Sequence, residues 1–254
     1  MKAIVLNQPK NFAVKEIELP ELKEDEVLIR IKDSGICTND VRDFNGDCSY
    51  SYPRIGGHEY CGVIEELGNG VNEKRYSKGQ KVVQYIIDDC KECFFCKHGE
   101  ENICEEHPKS KIFTNPDGLS GYGGFAEFVV AKAEDLFVYP DSTTFEKMAF
   151  TEPLACVVNS ITRTNIQFGD DVAVIGGGTM GMLHVMLARL KGARVILSEP
   201  LRAVSYTHLK PIVMGTCKGT CCGSSRTHHC GSSCSWISSD EQKTNYQRSK
   251  RITC

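Results

Sequence analysis

Apolar positions in the first 140 or so residues come in short runs: Ala3–Leu6, Val27–Lys32, Gly62–Leu67, Lys81–Ile87 and Ala126–Val130. Each is rich in Val and Ile. Turn formers punctuate them, among them Gly68-Asn69-Gly70 and Asn115-Pro116-Asp117-Gly118, which is the pattern of β-strands joined by tight connections. Many short strands of this kind predict a sandwich or barrel-like all-β part. From Thr143 the period changes. Phe145–Gln167 consists of helix-compatible residues, with Pro153 expected to start, kink or interrupt the helix. Asp170–Ile175 predicts a buried strand, Met180–Lys191 a helix closed by Gly192, and Ala193–Ser198 a second strand. An α/β part built on a parallel sheet therefore follows the all-β part.

Beyond Pro200 the pattern is lost. Thr216–Cys234 mixes Cys, Ser, Thr, Gly and His without a helical or strand period, and the only Trp, Trp236, follows it. The stretch Ala203-Val204-Ser205-Tyr206-Thr207-His208-Leu209 resembles translated sequencing-adapter sequence, so residues 201–254 are expected to be a disordered or non-native tail. A metal site drawn from Cys217, Cys221, His228 and Cys230 is set aside, because Cys-rich text yields such spacings by chance.

A chain of 254 residues is long enough for one large or two modest domains with real cores. A formal net charge of -3 gives no reason to expect nucleic acid or an anionic membrane surface as a partner. No apolar run has the length needed to span a bilayer. Met1–Leu6 is too short for a signal peptide and reads as a first strand, so a cytoplasmic, reducing setting is expected. The fourteen cysteines then need another explanation than disulfides. Eight fall before residue 160 and six after Lys210, two different populations.

Four of the first eight crowd together as Cys90, Cys93, Cys96 and Cys104, spaced C-x2-C-x2-C-x7-C among charged residues. Thiolates at this spacing can converge on one tetrahedral ion, and an all-sulfur shell is the usual structural zinc site. A second constellation is Gly56-Gly57-His58-Glu59 with Cys37 upstream. Catalytic zinc takes three N, S or O donors and keeps one position open. Cys37 and His58 supply two; Glu152, before Pro153, is the candidate third donor and Cys156 its competitor. A third motif is Gly176-Gly177-Gly178-Thr179-Met180-Gly181, a G-x-G-x-x-G placed between a predicted strand and a predicted helix. Gly176 permits the tight turn, Gly178 the close approach of a pyrophosphate, and Gly181 the packing of helix on strand. The helix start at Thr179 and Met180 offers free N–H groups to phosphates. Glu199, ending the second strand, sits where an acid would hydrogen-bond the adenosine ribose and repel a 2′-phosphate, which favours NAD over NADP.

The stretch Gly57-His58-Glu59-x2-Gly62-x5-Gly68-x2-Val71 resembles the signature of zinc-containing alcohol dehydrogenases of the medium-chain dehydrogenase/reductase superfamily. The four-cysteine lobe resembles that family's structural zinc loop in order and spacing. The resemblance covers residues 1 to about 200 and is strongest with the polyol (sorbitol) and threonine dehydrogenase branch, where Glu-Pro-Leu-Ala replaces a cysteine ligand. It implies a GroES-like catalytic domain over 1–145 and the start of a Rossmann NAD-binding domain, truncated, over 146–200. It implies two zinc ions: a catalytic one at Cys37, His58 and Glu152, with Glu59 beside it as an exchanging ligand, and a structural one at the four cysteines. The implied reaction moves a hydride between a secondary alcohol (a polyol, sugar alcohol or hydroxy amino acid) and NAD, in a homo-oligomer acting on a small-molecule alcohol or ketone.

One departure stands out. Family members commonly carry Ser or Thr two positions after the first ligand and His five positions after it, as a proton relay; here those places hold Asn39 and Arg42. Arg cannot serve as a base near neutral pH. Water, Glu59, Thr38 or a substrate hydroxyl must then take the proton. Two rival readings stand beside this one. A zinc-free quinone or enone reductase lacks these ligands. A non-catalytic, inactive zinc-binding fragment results if the nucleotide-binding sheet, which needs about six strands, stops after the two that are legible.

Overall fold

The computed structural model describes residues 1–19, 21–87, 89–106 and 118–201. The expectations placed on 202–254, including the set-aside cysteine and histidine group, lie outside the described residues. In chain order the elements are β1 (Lys2–Gln8), β2 (Asn11–Glu16), β3 (Glu26–Gly35), α1 (Thr38–Asn45), β4 (Glu59–Leu67), β5 (Lys81–Gln84), α2 (Phe94–Lys97), β6 (Phe128–Lys132), β7 (Leu136–Tyr139), α3 (Phe145–Ala149), α4 (Thr151–Arg163), β8 (Asp171–Ile175), α5 (Thr179–Leu190) and β9 (Arg194–Ser198).

The chain divides into two compact units, Met1–Glu152 and a second that begins at Pro153. The first is the expected all-β part. Its main sheet is antiparallel in the order β6-β3-β4-β5-β7, with β1 and β2 paired separately. Alternate Val and Ile side chains enter one core: Val27 and Ile29 from β3, Ile64 from β4, Val82 from β5 and Val129 from β6. Burying each such side chain stabilises the fold by about 1.5–3 kcal/mol. The division falls after Glu152 rather than at the 145/146 boundary expected from sequence. The physical reason is α3: Met148 is fully buried against Cys61 and Val83, which ties Phe145–Ala149 to the sheet.

In the second unit β8 and β9 pair in parallel, Asp171 opposite Arg194 through Ile175 opposite Ser198. Val157 and Ile161 of α4, Val185 and Ala188 of α5, and Val195 and Leu197 of β9 share a core. The helical stretch from Phe145 is broken at Phe150, and Pro153 falls in the first turn of α4, where its missing N–H costs nothing.

Two features of the first unit fix the spacing between β3, α1 and β4. The signature glycines mark close backbone approaches: a Cβ at Gly62 would lie 2.3 Å from the Arg30 carbonyl oxygen, and one at Gly68 2.1 Å from that of Lys23. A buried ion pair then ties α1 to the segment before β4. Arg54 Nε lies 3.0 Å from Asp43 Oδ2, with side chains 7% and 6% exposed, close but not aligned as a hydrogen bond. Tyr52 Oη donates to Asp43 Oδ1 at 2.9 Å, and the Arg54 guanidinium stacks on Tyr50 at 4.0 Å. Removing one partner of such a pair strands the other charge. Arg54→Leu should therefore cost about 3–5 kcal/mol in urea denaturation, and Arg54→Leu with Asp43→Leu should recover part of it.

Candidate metal and cofactor sites

Strand pairing assembles the first site. Gly35, the last residue of β3, is opposite Glu59, the first of β4. Cys37 therefore leaves β3 beside the point where His58 enters β4. The sulfur of Cys37, a ring nitrogen of His58 and a carboxylate oxygen of Glu59 lie within 4.8 Å of one another. Cys37 caps the start of α1 with extended backbone (φ -78°, ψ 156°). Asp40, one turn on, holds the junction: Oδ2 accepts the Cys37 N–H at 2.9 Å and Oδ1 the Gly57 N–H at 3.2 Å. The same Oδ1 is 3.7 Å from His58 Nδ1, and the His58 side chain is 10% exposed. Glu59 lies against the backbone of Gly35, where a Cβ would meet its Oε2 at 2.3 Å.

The electrostatics of this group suit a cation. Burial pushes the Cys37 thiol up from its ordinary value; the Asn39 N–H opposes this, and the Glu59 carboxylate adds to it. A sulfur, an imidazole nitrogen and a carboxylate oxygen this close together are a donor set that a divalent ion completes.

Glu152 is not in this group. It is half-buried in the first turn of α4, as the last residue of the first unit. The carboxylate that meets Cys37 and His58 is that of Glu59, because the register sets Glu59 opposite Gly35. Cys156 is exposed on α4, and Thr38 is exposed as the first residue of α1. Asn39 donates to Tyr50 Oη at 3.3 Å, and Arg42 is exposed, so neither of the two departures from the relay pattern stands among the three donors.

The second group is Cys90, Cys93, Cys96 and Cys104, again mutually within 4.8 Å. None forms a disulfide. Four sulfurs about 2.3 Å from one zinc stand roughly 3.8 Å apart; the separations are 3.9 Å for Cys90–Cys96, 3.4 Å for Cys93–Cys96 and 4.0 Å for Cys93–Cys104. Backbone N–H groups aim at the sulfurs, Cys93 to Cys90 at 3.2 Å and Cys90 to Cys104 at 3.4 Å. The N–H of Cys96 leads the donors that draw Cys93 down to about 6. The chemistry and spacing fit zinc.

The third site lies in the second unit. Gly176 takes φ +102° at the end of β8, and Gly178 precedes α5. A Cβ at Gly181 would stand 1.8 Å from the Gly176 carbonyl oxygen, so helix and loop touch as the motif requires, whereas Gly178 faces open space. Thr179 and Met180 form the first turn of α5, and Glu199 Oε2 accepts the Gly177 N–H at 2.6 Å. The acid at the end of β9 is thus fastened to the glycine loop.

The alcohol dehydrogenase GroES-like domain profile matches residues 23–141, the sheet that carries the two cysteine-containing sites. The chain belongs to the zinc-type alcohol dehydrogenase family. It is 34% identical over 201 residues to a sorbitol dehydrogenase of Halalkalibacterium halodurans, covering 78% of this chain and 56% of that one. A structure from Sinorhizobium meliloti 1021 bound to NADP aligns at TM-score 0.72 and 31% identity, over 82% of this chain and 59% of that one. Galactitol-1-phosphate dehydrogenase from Escherichia coli aligns at TM-score 0.72 and 28% identity, over 83% and 59%. The chain thus spans little more than half the length of these relatives. Among the described residues no helix is long and apolar enough to cross a membrane.

The two cysteine sites share no ligand, so they should load independently. His58→Ala should remove one zinc per chain and leave the other, and Cys93→Ser should do the reverse, as read by elemental analysis of the purified variants.

Proposed function

We propose that this chain supplies the metal centre and the cofactor loop of a zinc-dependent oxidoreductase that moves a hydride from a secondary alcohol to NAD. The observation that carries the reading is the convergence of Cys37, His58 and Glu59 in the matched domain. Zinc, when bound there, would act as a Lewis acid toward an alcohol or carbonyl oxygen, and the nicotinamide would accept the hydride. Cys37 and His58 would hold the ion, with Glu59 the adjoining carboxylate and Glu152 a further donor in the complete site. Asp40 orients the first two by binding the backbone on both sides of the gap. Neither Asn39 nor Arg42 stands among the donors, which leaves water, the Glu59 carboxylate, the Thr38 hydroxyl or a substrate hydroxyl to take the substrate proton.

Sorbitol dehydrogenase and galactitol-1-phosphate dehydrogenase among the relatives support a polyol or sugar alcohol as substrate. Glu199 supports NAD: a carboxylate fixed at the loop would accept ribose hydroxyls and repel a 2′-phosphate. The NADP-bound relative favours the other cofactor and makes the choice an experimental one. A catalytic domain over the first unit, to Glu152, a cofactor domain beginning at Pro153, a cytoplasmic setting and a homo-oligomer complete the reading.

Two measurements test it. The purified chain should bind two zinc ions but, with two strands of the nucleotide-binding sheet among the described residues, show little NAD reduction on sorbitol or a related polyol; robust turnover would refute the inactive-fragment reading, and fewer than two ions would remove the metal reading. Glu199→Ala should narrow the preference for NAD over NADP about tenfold in a binding titration, and an unchanged ratio would remove the role of this acid.

A further inference from the structure

The imidazole of His58 has a neighbour outside every motif. The ring of Tyr122 lies with its centroid 5.5 Å from that of His58, at an interplanar angle of 54°, within the range of favourable ring pairs. The backbone fixes this contact. Ser120 to Phe125 runs against Ile55 to Gly57, the residues immediately before His58. Ile55 N–H donates to the Ser120 carbonyl at 2.8 Å, Gly123 N–H to Ile55 at 3.2 Å, Gly124 N–H to Gly57 at 3.1 Å and Phe125 N–H to Gly56 at 3.1 Å. Tyr122 is flanked by Gly121 at φ +102° and Gly123 at φ +82°, conformations an L side chain resists. A Cβ at Gly121 would lie 2.1 Å from the Ile55 carbonyl oxygen, and one at Gly124 2.5 Å from that of Gly57. The two segments are thus pressed together with glycine at the contacts, and Tyr122 is the one large side chain between the left-handed glycines.

The imidazole needs such a support. Asp40 Oδ1 stands 3.7 Å from its Nδ1, beyond hydrogen-bond length, so this carboxylate restrains the ring angle weakly. Rotation of the ring about its Cβ–Cγ bond would carry the donor nitrogen away from Cys37 and Glu59.

We propose that Tyr122 is a positioning residue for the metal centre: its ring face sets the plane of His58 and thereby lengthens the residence of the ion. The inference rests on reading Cys37, His58 and Glu59 as a metal site. Groups that orient metal-binding imidazoles change affinity about 10- to 100-fold when removed. A ring contact acts at the lower end of that span.

The test uses the full chain loaded with zinc and a chromophoric chelator that reports release of each ion, with cobalt substitution as a second readout. Tyr122→Leu should release the ion of the His58 site about tenfold faster and shift the visible cobalt bands of that site. Release from the four-cysteine lobe should stay unchanged. Tyr122→Phe keeps the ring face and should behave as the parent. Parental release and spectrum in Tyr122→Leu would overturn the proposal. So would a Tyr122→Phe variant as impaired as the leucine one, which would assign the effect to the hydroxyl, or loss of both ions together, which would assign it to general unfolding. A parent chain that binds a single ion, at the lobe, would instead refute the metal reading beneath it.

Discussion

The register of β3 against β4 is the constraint on which the metal centre depends. Cys37 and His58 are twenty-one positions apart in the chain, and what joins them is the pairing of Gly35 with Glu59. That register is the same one that pairs Val27 with Leu67 at the far end, restored after a one-residue excursion in between. It shifts between Leu28 and Ile29 and again between Ile31 and Asp33, so two irregularities compensate across the strand pair. Bulges of this kind re-aim side chains locally while leaving the ladder on either side intact. Slipping the end of β3 by one position would turn its own side chains to the opposite face of the sheet and carry Gly35, with Cys37 beyond it, out of line with Glu59. Gly62, between the two shifts, lets β3 and β4 come within a distance that any side chain would prevent.

Around that pairing the chain spends its polar groups on holding the gap between Cys37 and His58 open at a fixed width. Asp40 binds N–H groups on both sides of it, from Cys37 and from Gly57. The Asp43–Arg54 pair fastens the far end of α1 to the segment that leads into β4. Burial at this gap, with a smaller push from the Glu59 carboxylate, holds the Cys37 thiol above its ordinary value. The four-cysteine lobe solves a similar problem differently. Its sulfurs converge within fifteen residues and are stabilised by N–H groups of the same loop, so the lobe depends little on the sheet register.

The same difference decides which parts of the molecule are legible in sequence. Local motifs were legible: the cysteine spacing and the strand-loop-helix context of Gly176 to Gly181 find their partners within a short stretch of chain, and Glu199, twenty-two positions after Gly177, was legible from the spacing the glycine motif sets. Apolar strands were legible too, β3 with Val27, Leu28 and Ile29 buried in a row and β6 with alternating burial. β2 was not, because its exposed pattern has no apolar face to betray it. Nor was α1, eight mostly polar residues whose helix starts at a cysteine rather than a hydroxyl or carboxylate cap. β7 is four residues long, too short for a period to show. The sequence pointed to Glu152 as the third donor because a Glu-Pro pair resembles a ligand motif. Glu59 was read beside the ion as well, and the strand register shows why its carboxylate stands with Cys37 and His58.

Tyr122 shows where motif reading stops. A tyrosine among glycines carries no metal-ligand signature, and Gly121-Tyr122-Gly123-Gly124 reads as an ordinary turn. Its significance comes from four backbone hydrogen bonds that lay this turn along Ile55 to Gly57. Glycine at 57, 121 and 124 is then one steric fact seen from two segments: each lacks a side chain because the other backbone occupies the space. The metal centre is therefore shaped by three strips of chain. β3 brings the thiol, the entry to β4 brings the imidazole and a carboxylate, and the glycine turn brings the surface against which the imidazole rests.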